Sequence, residues 1–86
     1  SKRAIYVGQV LAVDKEGWAT IDVKNKFSVG DQVEVISPTG NKIITINTIC
    51  HKGALIDCAS GNGMTVTIPH MHGRENSLLA RLISQE

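Results

Sequence analysis

The chain of 86 residues is poor in aromatic side chains, which make up only 3% of it: Tyr6, Trp18 and Phe27. A core of packed rings is therefore excluded, and valine, isoleucine and leucine must fill the interior. Branched aliphatic side chains pack well on a pleated sheet, so the composition favours β structure. At this length we expect one domain over residues 1–86, too small to sustain a large active-site cavity.

An excess of charge of one sign is also missing. Nine basic residues face eight acidic residues, for a formal net charge of +1. A protein that grips a phosphate backbone by itself usually carries a clustered basic excess, and this sequence has only small basic patches. Tight, autonomous binding of nucleic acid is therefore not expected.

Cysteine is scarce, and long apolar runs are absent. Cys50 and Cys58 are too few for a disulfide scaffold. The sequence has no signal-peptide pattern and no apolar run of membrane-spanning length. We therefore expect a cytoplasmic protein with no membrane partner. The opening "SKRAIY" has the look of a domain cut from a larger protein.

What the sequence does have is short β-like segments separated by turn residues. The predicted strands are residues 5–13, 18–23, 32–36, 42–50, 54–58 and 64–68. Gly8 is expected to form a bulge or a close approach between strands. Residues 42–50 are expected to form a long buried strand. This spacing predicts an all-β fold, a small closed or partly open β-barrel of about six strands.

The leucine-rich tail, residues 77–84, has two interpretations. Its apolar residues fit one face of a helix, and they also fit a short closing strand. We favour the strand, because the edge of an open barrel needs to be covered.

Histidines and cysteines are the candidates for chemistry. His70 and His72 lie two residues apart, and Cys50, His51 and Cys58 could join them around zinc, but no pair has the close spacing of known zinc sites. Cys58 with His70 would need a third group to orient the pair as a nucleophile. We therefore interpret the histidine segment as a polar loop and the two cysteines as thiols buried in the core. We predict no catalytic residue, no metal site and no cofactor.

The glycine-rich stretch "SGNGMT", residues 60–65, resembles a phosphate-binding loop only superficially. Such loops lead into a helix, usually with a lysine nearby, whereas here the next residues read as a strand. A hairpin turn is therefore predicted.

Basic side chains in one loop are the candidates for contact with RNA. Lys24, Asn25 and Lys26 follow a predicted strand, with Trp18 and Phe27 close by in sequence as possible stacking partners. The alternative is that Phe27 anchors the turn at "GD" in the core and that Trp18 covers a barrel end. Lys42 is a further cation able to touch phosphates without specifying sequence. We expect a weak, assisted RNA contact.

The segment "YVGQVLAVDKEGWATIDVKNKFSVGDQVEVISPTGN", residues 6–41, closely resembles the start of the C-terminal domain of the collagenase-like peptidase family of unknown catalytic type, numbered thirty-two. The shared residues are Tyr6, Val7, Gly8, Asn25, Phe27, Gly30, Asp31 and Glu34. The later "GMTVTIP" and the leucine-rich ending are also similar. The pattern F-x-x-G-D, followed by alternating apolar and polar residues, is similar to a segment of domain 2 of translation elongation factor Tu. That domain is a β-barrel.

This resemblance mainly carries implications for a larger protein, the parent, of which such a domain is the C-terminal part. In the family, an N-terminal catalytic domain with its own cysteine cluster carries the activity. Members are described as peptidases or collagenases, and others are similar to factors that install 5-hydroxyuridine in transfer RNA. The version in this chain resembles the transfer-RNA branch most. None of the family's catalytic residues matches a position here.

Two functions remain open. The first is a non-catalytic accessory domain that positions transfer RNA beside the active site of the parent. The second is a protein-interaction or oligomerisation module that docks on the N-terminal catalytic domain of the parent through exposed strand edges. Peptidase activity of this chain by itself is the least favoured function.

Overall fold

The computed structural model describes residues 2–84, which form ten β-strands joined by turns. They are β1 (Lys2–Val13), β2 (Ala19–Val23), β3 (Phe27–Ser28), β4 (Gln32–Ile36), β5 (Lys42–Thr45), β6 (Ile49–His51), β7 (Ala54–Ile56), β8 (Cys58–Ala59), β9 (Thr65–Ile68) and β10 (Leu78–Ser84). No helix in this range is long and apolar enough to cross a membrane.

Eight of these strands form one antiparallel sheet in the order β5-β4-β10-β1-β2-β9-β6-β7, and β3 pairs with β8 separately. The large sheet curls into a half-barrel whose two edge strands, β5 and β7, are not paired with each other. The all-β prediction and the partly open barrel are confirmed. The described residues contain more strands than the six expected, because short strands flank the turns.

The core lies on the inner face of the curled sheet. Along β2 the side chains alternate, with Ala19, Ile21 and Val23 fully buried and the two between them partly exposed. The same alternation in β4 buries Val33 and Val35. The core contains one aromatic ring, that of Phe27, among aliphatic side chains and Met71. Period-two alternation therefore predicted which face of each strand is buried.

The motif "FSVGD" forms a turn that packs into the core at its first residue and is hydrogen-bonded to a neighbouring loop at its end. Phe27 is buried, and the backbone N–H of Ser28 donates to the Asp31 carboxylate at 2.8 Å. Gly30 has a φ of 97°, a conformation open to glycine. Its N–H donates to the Ile46 carbonyl at 2.8 Å, and the Ile46 N–H donates to the Asp31 carbonyl at 2.9 Å. The turn therefore fixes where β4 begins.

The predicted long buried strand over residues 42–50 is wrong. The chain instead forms β5 at one edge of the sheet, leaves it at Ile46, and enters β6 beside β9. Ile43 pairs in register with Glu34, on the outer face, and is 52% exposed. The run of isoleucines predicted one strand, whereas its members belong to two strands in different parts of the sheet.

The tail forms a strand, as favoured, although its place differs from the one expected. β10 lies between β1 and β4 and pairs with both, so it is an interior strand and not an edge cover. Leu79 is fully buried there, whereas Leu78 faces outward and is 42% exposed.

A register shift in β1 occurs at Gly8, as predicted. The pairing with β10 shifts between Tyr6 and Gly8, and a Cβ at position 8 would lie 2.5 Å from the backbone oxygen of Asp22. Only glycine lets β1 and β2 approach this closely.

Substituting Gly8→Ala should therefore destabilise the chain by about 1–3 kcal/mol, the usual cost of forcing extra volume into a packed site. Urea unfolding monitored by circular dichroism measures this change. Gln9→Ala is the matched control, because Gln9 is exposed on the same strand and should change stability by less than about 0.5 kcal/mol. Equal stability of Gly8→Ala and the natural chain would contradict the close approach.

Candidate functional site

The loop of Lys24, Asn25 and Lys26 is held rigidly against the bulge of β1. The backbone N–H groups of Lys24 and Asn25 both donate to the Val7 carbonyl, at 2.7 and 3.2 Å. The carbonyl of Lys26 accepts a bond from Arg81 Nε of β10 at 3.3 Å. Two neighbouring strands therefore hold the backbone of this loop, and its lysine side chains project from a fixed support.

The three loop residues use their side chains differently. Asn25 Nδ2 donates to the Tyr6 carbonyl at 2.7 Å, so this amide helps to hold the loop in place. Lys24 Nζ lies 3.1 Å from the Asp22 carboxylate while half of its side chain remains exposed. Lys26 is exposed. The ammonium groups of Lys24 and Lys26 are therefore accessible to a ligand, and the Asn25 amide nitrogen is already engaged.

Lys42 lies apart from this loop. It is the first residue of the edge strand β5. A line of registered partners crosses the sheet from it, through Val35 on β4 and Leu79 on β10 to Gly8 on β1. Gly8 is opposite Val23, the residue before Lys24. Four strand spacings, on the order of 19 Å along the sheet, separate Lys42 from the loop. The structure brings Lys24 and Lys26 together and leaves Lys42 on a separate edge.

The two cysteines are half-buried, so the prediction of two thiols buried in the core is wrong. Cys50 lies on β6 of the large sheet and Cys58 on β8, which pairs with β3. Their thiols are free. Across residues 2–84, no three side chains of His, Cys, Asp or Glu lie close enough to hold a metal ion.

The histidines are dispersed. His70 lines a recess of about 60 Å³ with Asn47 and Thr48. His72 Nε2 donates to the Lys15 carbonyl at 3.2 Å, because a carbonyl oxygen can only accept. The two imidazole rings therefore lie in different places and contact different residues.

A groove of about 540 Å³ opens where β6 separates from β9. These strands share the single registered pair Cys50 and Thr67, so their backbone pairing is limited to one point. The lining residues are Thr20, Cys50, His51, Lys52, Gly53, Thr65, Val66 and Thr67. The outer face of the sheet therefore carries a groove on this side.

The side chains of the groove offer hydroxyls and positive charge. Thr20 and Thr67 face each other across β2 and β9 and point outward, since Ile21 and Val66 beside them are buried. Lys52 is the lining residue that carries a positive charge, and none of the lining residues is acidic. This set of groups suits an anionic or hydroxyl-bearing ligand.

His51 is held in one orientation. Its Nδ1 lies 3.0 Å from the carbonyl oxygen of Thr65, and because that oxygen can only accept, Nδ1 carries the proton. In the neutral ring, Nε2 is then the acceptor nitrogen. A ligand in the groove would meet a ring whose tautomer is already set.

Lys52 occupies a backbone conformation that disfavours it. Lys52 and Gly53 form the two-residue turn between β6 and β7, with φ angles of 51° and 79°. Two positive φ angles define a type I′ turn, for which asparagine followed by glycine is strongly preferred. A lysine in the left-handed region costs roughly 1–2 kcal/mol. Strain of this kind is frequent at functional positions.

Sequence reasoning did not identify the groove. The break between the predicted strands 42–50 and 54–58 contains the turn of Lys52 and Gly53, and the predicted strand 64–68 contains β9. The usable signal was a lysine where the turn prefers asparagine. The separation of β6 from β9 depends on tertiary packing and has no local signature.

The family model for the C-terminal domain of peptidase family U32 matches residues 2–81. Two curated relatives carry the name tRNA hydroxylation protein P. The one from Escherichia coli is 40% identical over 80% of this chain, and the one from Haemophilus influenzae is 37% identical over 73%. The matches cover only 16% and 14% of those proteins, so the chain spans about one sixth of their length or less.

Solved structures show the same fold. The C-terminal domain of a Geobacillus thermoleovorans protein described as a U32 peptidase aligns with a TM-score of 0.81 and 26% identity, covering 93% of each chain. Its selenomethionine variant aligns with a TM-score of 0.78 and 28% identity, covering 88% of this chain and 96% of the variant.

Replacing Lys52 by asparagine should stabilise the chain by about 1 kcal/mol, because asparagine tolerates the left-handed conformation. The midpoint of urea unfolding should rise with an unchanged slope. Lys52→Ala separates the backbone effect from the loss of charge, since alanine removes the charge without relieving the strain. A gain in both variants would assign the effect to charge and contradict the argument from φ.

Proposed function

Because the chain belongs to the C-terminal domain family of peptidase family U32, we propose that it is a non-catalytic accessory domain of a transfer-RNA hydroxylation protein. In this proposal, the larger remainder of the parent carries the reaction, and this domain helps to hold transfer RNA beside the active site. The supporting observation is the 40% identity to tRNA hydroxylation protein P of Escherichia coli.

The contact is made by exposed cations and not by the field of the whole molecule. With a net charge of +1, the chain has little long-range attraction for a polyanion. Lys24 and Lys26 project from a loop that β1 and β10 hold in place, and contacts of lysines to phosphates orient an RNA without reading its bases. Lys42 provides a separate point of contact on β5, and Asn25 maintains the loop. We infer a cytoplasmic location from the transfer-RNA substrate.

The combined variant Lys24→Ala, Lys26→Ala in the full parent protein should bind transfer RNA more weakly. The slope of log K against log salt should become shallower by about 1.5, since each lost phosphate contact removes roughly 0.7–0.9. Fluorescence titration of labelled transfer RNA at several salt concentrations measures both quantities. Lys15→Ala, which removes an exposed lysine from the turn after β1, is the control. Unchanged affinity and slope in the double variant would contradict this role of the loop.

An interaction module is the second candidate, and an apolar surface favours it. Tyr6, Ile43 and Leu78 lie on the outer face of β1, β5 and β10, and each is between 42% and 52% exposed. Tyr6 and Ile43 lie on one line of registered partners across the sheet. The residues between them on this line are Ala80 and Glu34. Exposed apolar side chains on neighbouring strands, here with the carboxylate of Glu34 between Ala80 and Ile43, favour a docking surface. The proposed occupant is the catalytic part of the parent.

Leu78→Asp should weaken the association of this domain with the separately produced remainder of its parent by about tenfold or more, since burying a leucine contributes roughly 1.5–3 kcal/mol. Isothermal titration calorimetry measures the affinity. Leu55→Asp is the matched control, because Leu55 is 75% exposed on β7, at the opposite end of the sheet order. Equal affinity of Leu78→Asp and the natural domain would remove this surface from consideration.

A further inference from the structure

The groove between β6 and β9 carries an inference that goes beyond the loop of Lys24 and Lys26. We propose that it binds one ribose–phosphate unit of a single-stranded RNA segment, with Lys52 on the phosphate and with His51 and the threonines on the sugar hydroxyls. The inference deepens the proposed function and rests on it for the choice of RNA.

The size of the groove is appropriate for this ligand. Its volume of about 540 Å³ falls within the range of roughly 300–1,000 Å³ that is typical of small-molecule pockets. A lone inorganic anion would leave most of that space to water. A sugar with its phosphate would use it more fully.

The chemistry of the groove matches the two parts of the unit. Lysine and threonine side chains are common phosphate ligands in complexes with nucleic acids. A ribose 2′-hydroxyl both donates and accepts hydrogen bonds, as threonine hydroxyls do. His51 Nε2 is an acceptor for such a hydroxyl, because Nδ1 is committed to the Thr65 carbonyl at 3.0 Å. The half-buried Cys50 side chain supplies an apolar surface between these polar groups.

The position of Lys52 suggests that its charge is retained for binding. The type I′ turn would be satisfied better by asparagine, and the strain at a φ of 51° has no evident use in the packing of the turn. A cation at the tip of this hairpin is placed at the mouth of the groove. Lysine at this position therefore has a binding role that compensates for its conformational cost.

The groove also adjoins the loop already described. Thr65 pairs in register with Asp22, and Asp22 forms the ion pair with Lys24 at 3.1 Å. The Asp22 carboxylate, opposite the lining residue Thr65, is thus paired with a cation, which reduces its repulsion of an anion in the groove. Lys52 lines the groove, and Lys24 directly follows β2, the strand that contributes Thr20 to it, so we expect one RNA strand to contact both lysines.

The test uses the 86-residue chain labelled with ¹⁵N and three probes. These are a single-stranded RNA of about ten nucleotides, within the usual site sizes of roughly 4–16, a DNA of the same sequence, and inorganic phosphate. RNA should shift the amide resonances of residues 51–53 and 65–67. DNA should bind more weakly, because it lacks the 2′-hydroxyl. Phosphate should need far higher concentrations than RNA.

Lys52→Asn should lower the association constant for RNA about fivefold at 0.1 M salt and make the salt slope shallower by about 0.7, the value for one phosphate of a single strand. Its unfolding midpoint should stay the same or rise, which separates lost binding from lost folding. Lys15→Asn is the charge-matched control and should bind as the natural chain does.

The outcomes distinguish this inference from the proposed function. If Lys24→Ala, Lys26→Ala weakens RNA binding while Lys52→Asn leaves it unchanged and the groove resonances do not move, the groove inference fails and the proposed function stands. If no RNA binds to the chain or to its parent, both fail. Equal affinity for RNA and DNA would refute the sugar contact, and equal affinity for RNA and phosphate would reduce the groove to a site for simple anions.

Discussion

The bend of β1 at Gly8 is the constraint on which the rest of this domain depends. A strand of 12 residues, Lys2–Val13, has to pair with β10 along one part of its length and with β2 along another. A flat strand could not serve both neighbours in a sheet that curls. Glycine permits the register shift, because a Cβ there would collide with the Asp22 carbonyl. The half-barrel exists because this approach is possible.

The same bend positions the candidate RNA-contact loop. Since the register shifts at this point, the Val7 carbonyl is free to accept two N–H groups from the loop after β2, and the Tyr6 carbonyl accepts the Asn25 amide. The lysines of the loop are thus carried by the most central strand pair of the sheet. A loop anchored in this way presents its charges with little loss of conformational freedom on binding.

A small aliphatic core also explains why the candidate functional surfaces lie outside it. Fifteen buried side chains form one cluster on the inner face, so the surfaces proposed for binding occupy the outer side of the sheet. One such surface is apolar, around Tyr6 and Leu78, and the other is the groove at Lys52 and His51. The two lie on different strands of the same sheet.

Local pattern and tertiary packing contributed differently to what could be predicted. The amino-acid sequence alone determined the β class, the buried faces of β2 and β4, the turn at Gly30, and the bulge at Gly8, because each follows from side-chain alternation or from the special freedom of glycine. It also pointed to the family through residues 6–41.

The tertiary structure alone decided the division of residues 42–50 between two parts of the sheet, the interior place of β10, the exposure of the two cysteines, and the groove beside Lys52. These depend on which strands become neighbours, and strand neighbours are set by contacts between residues far apart in the chain. No local periodicity encodes such contacts, so a pattern that correctly predicts a strand cannot predict what lies beside it.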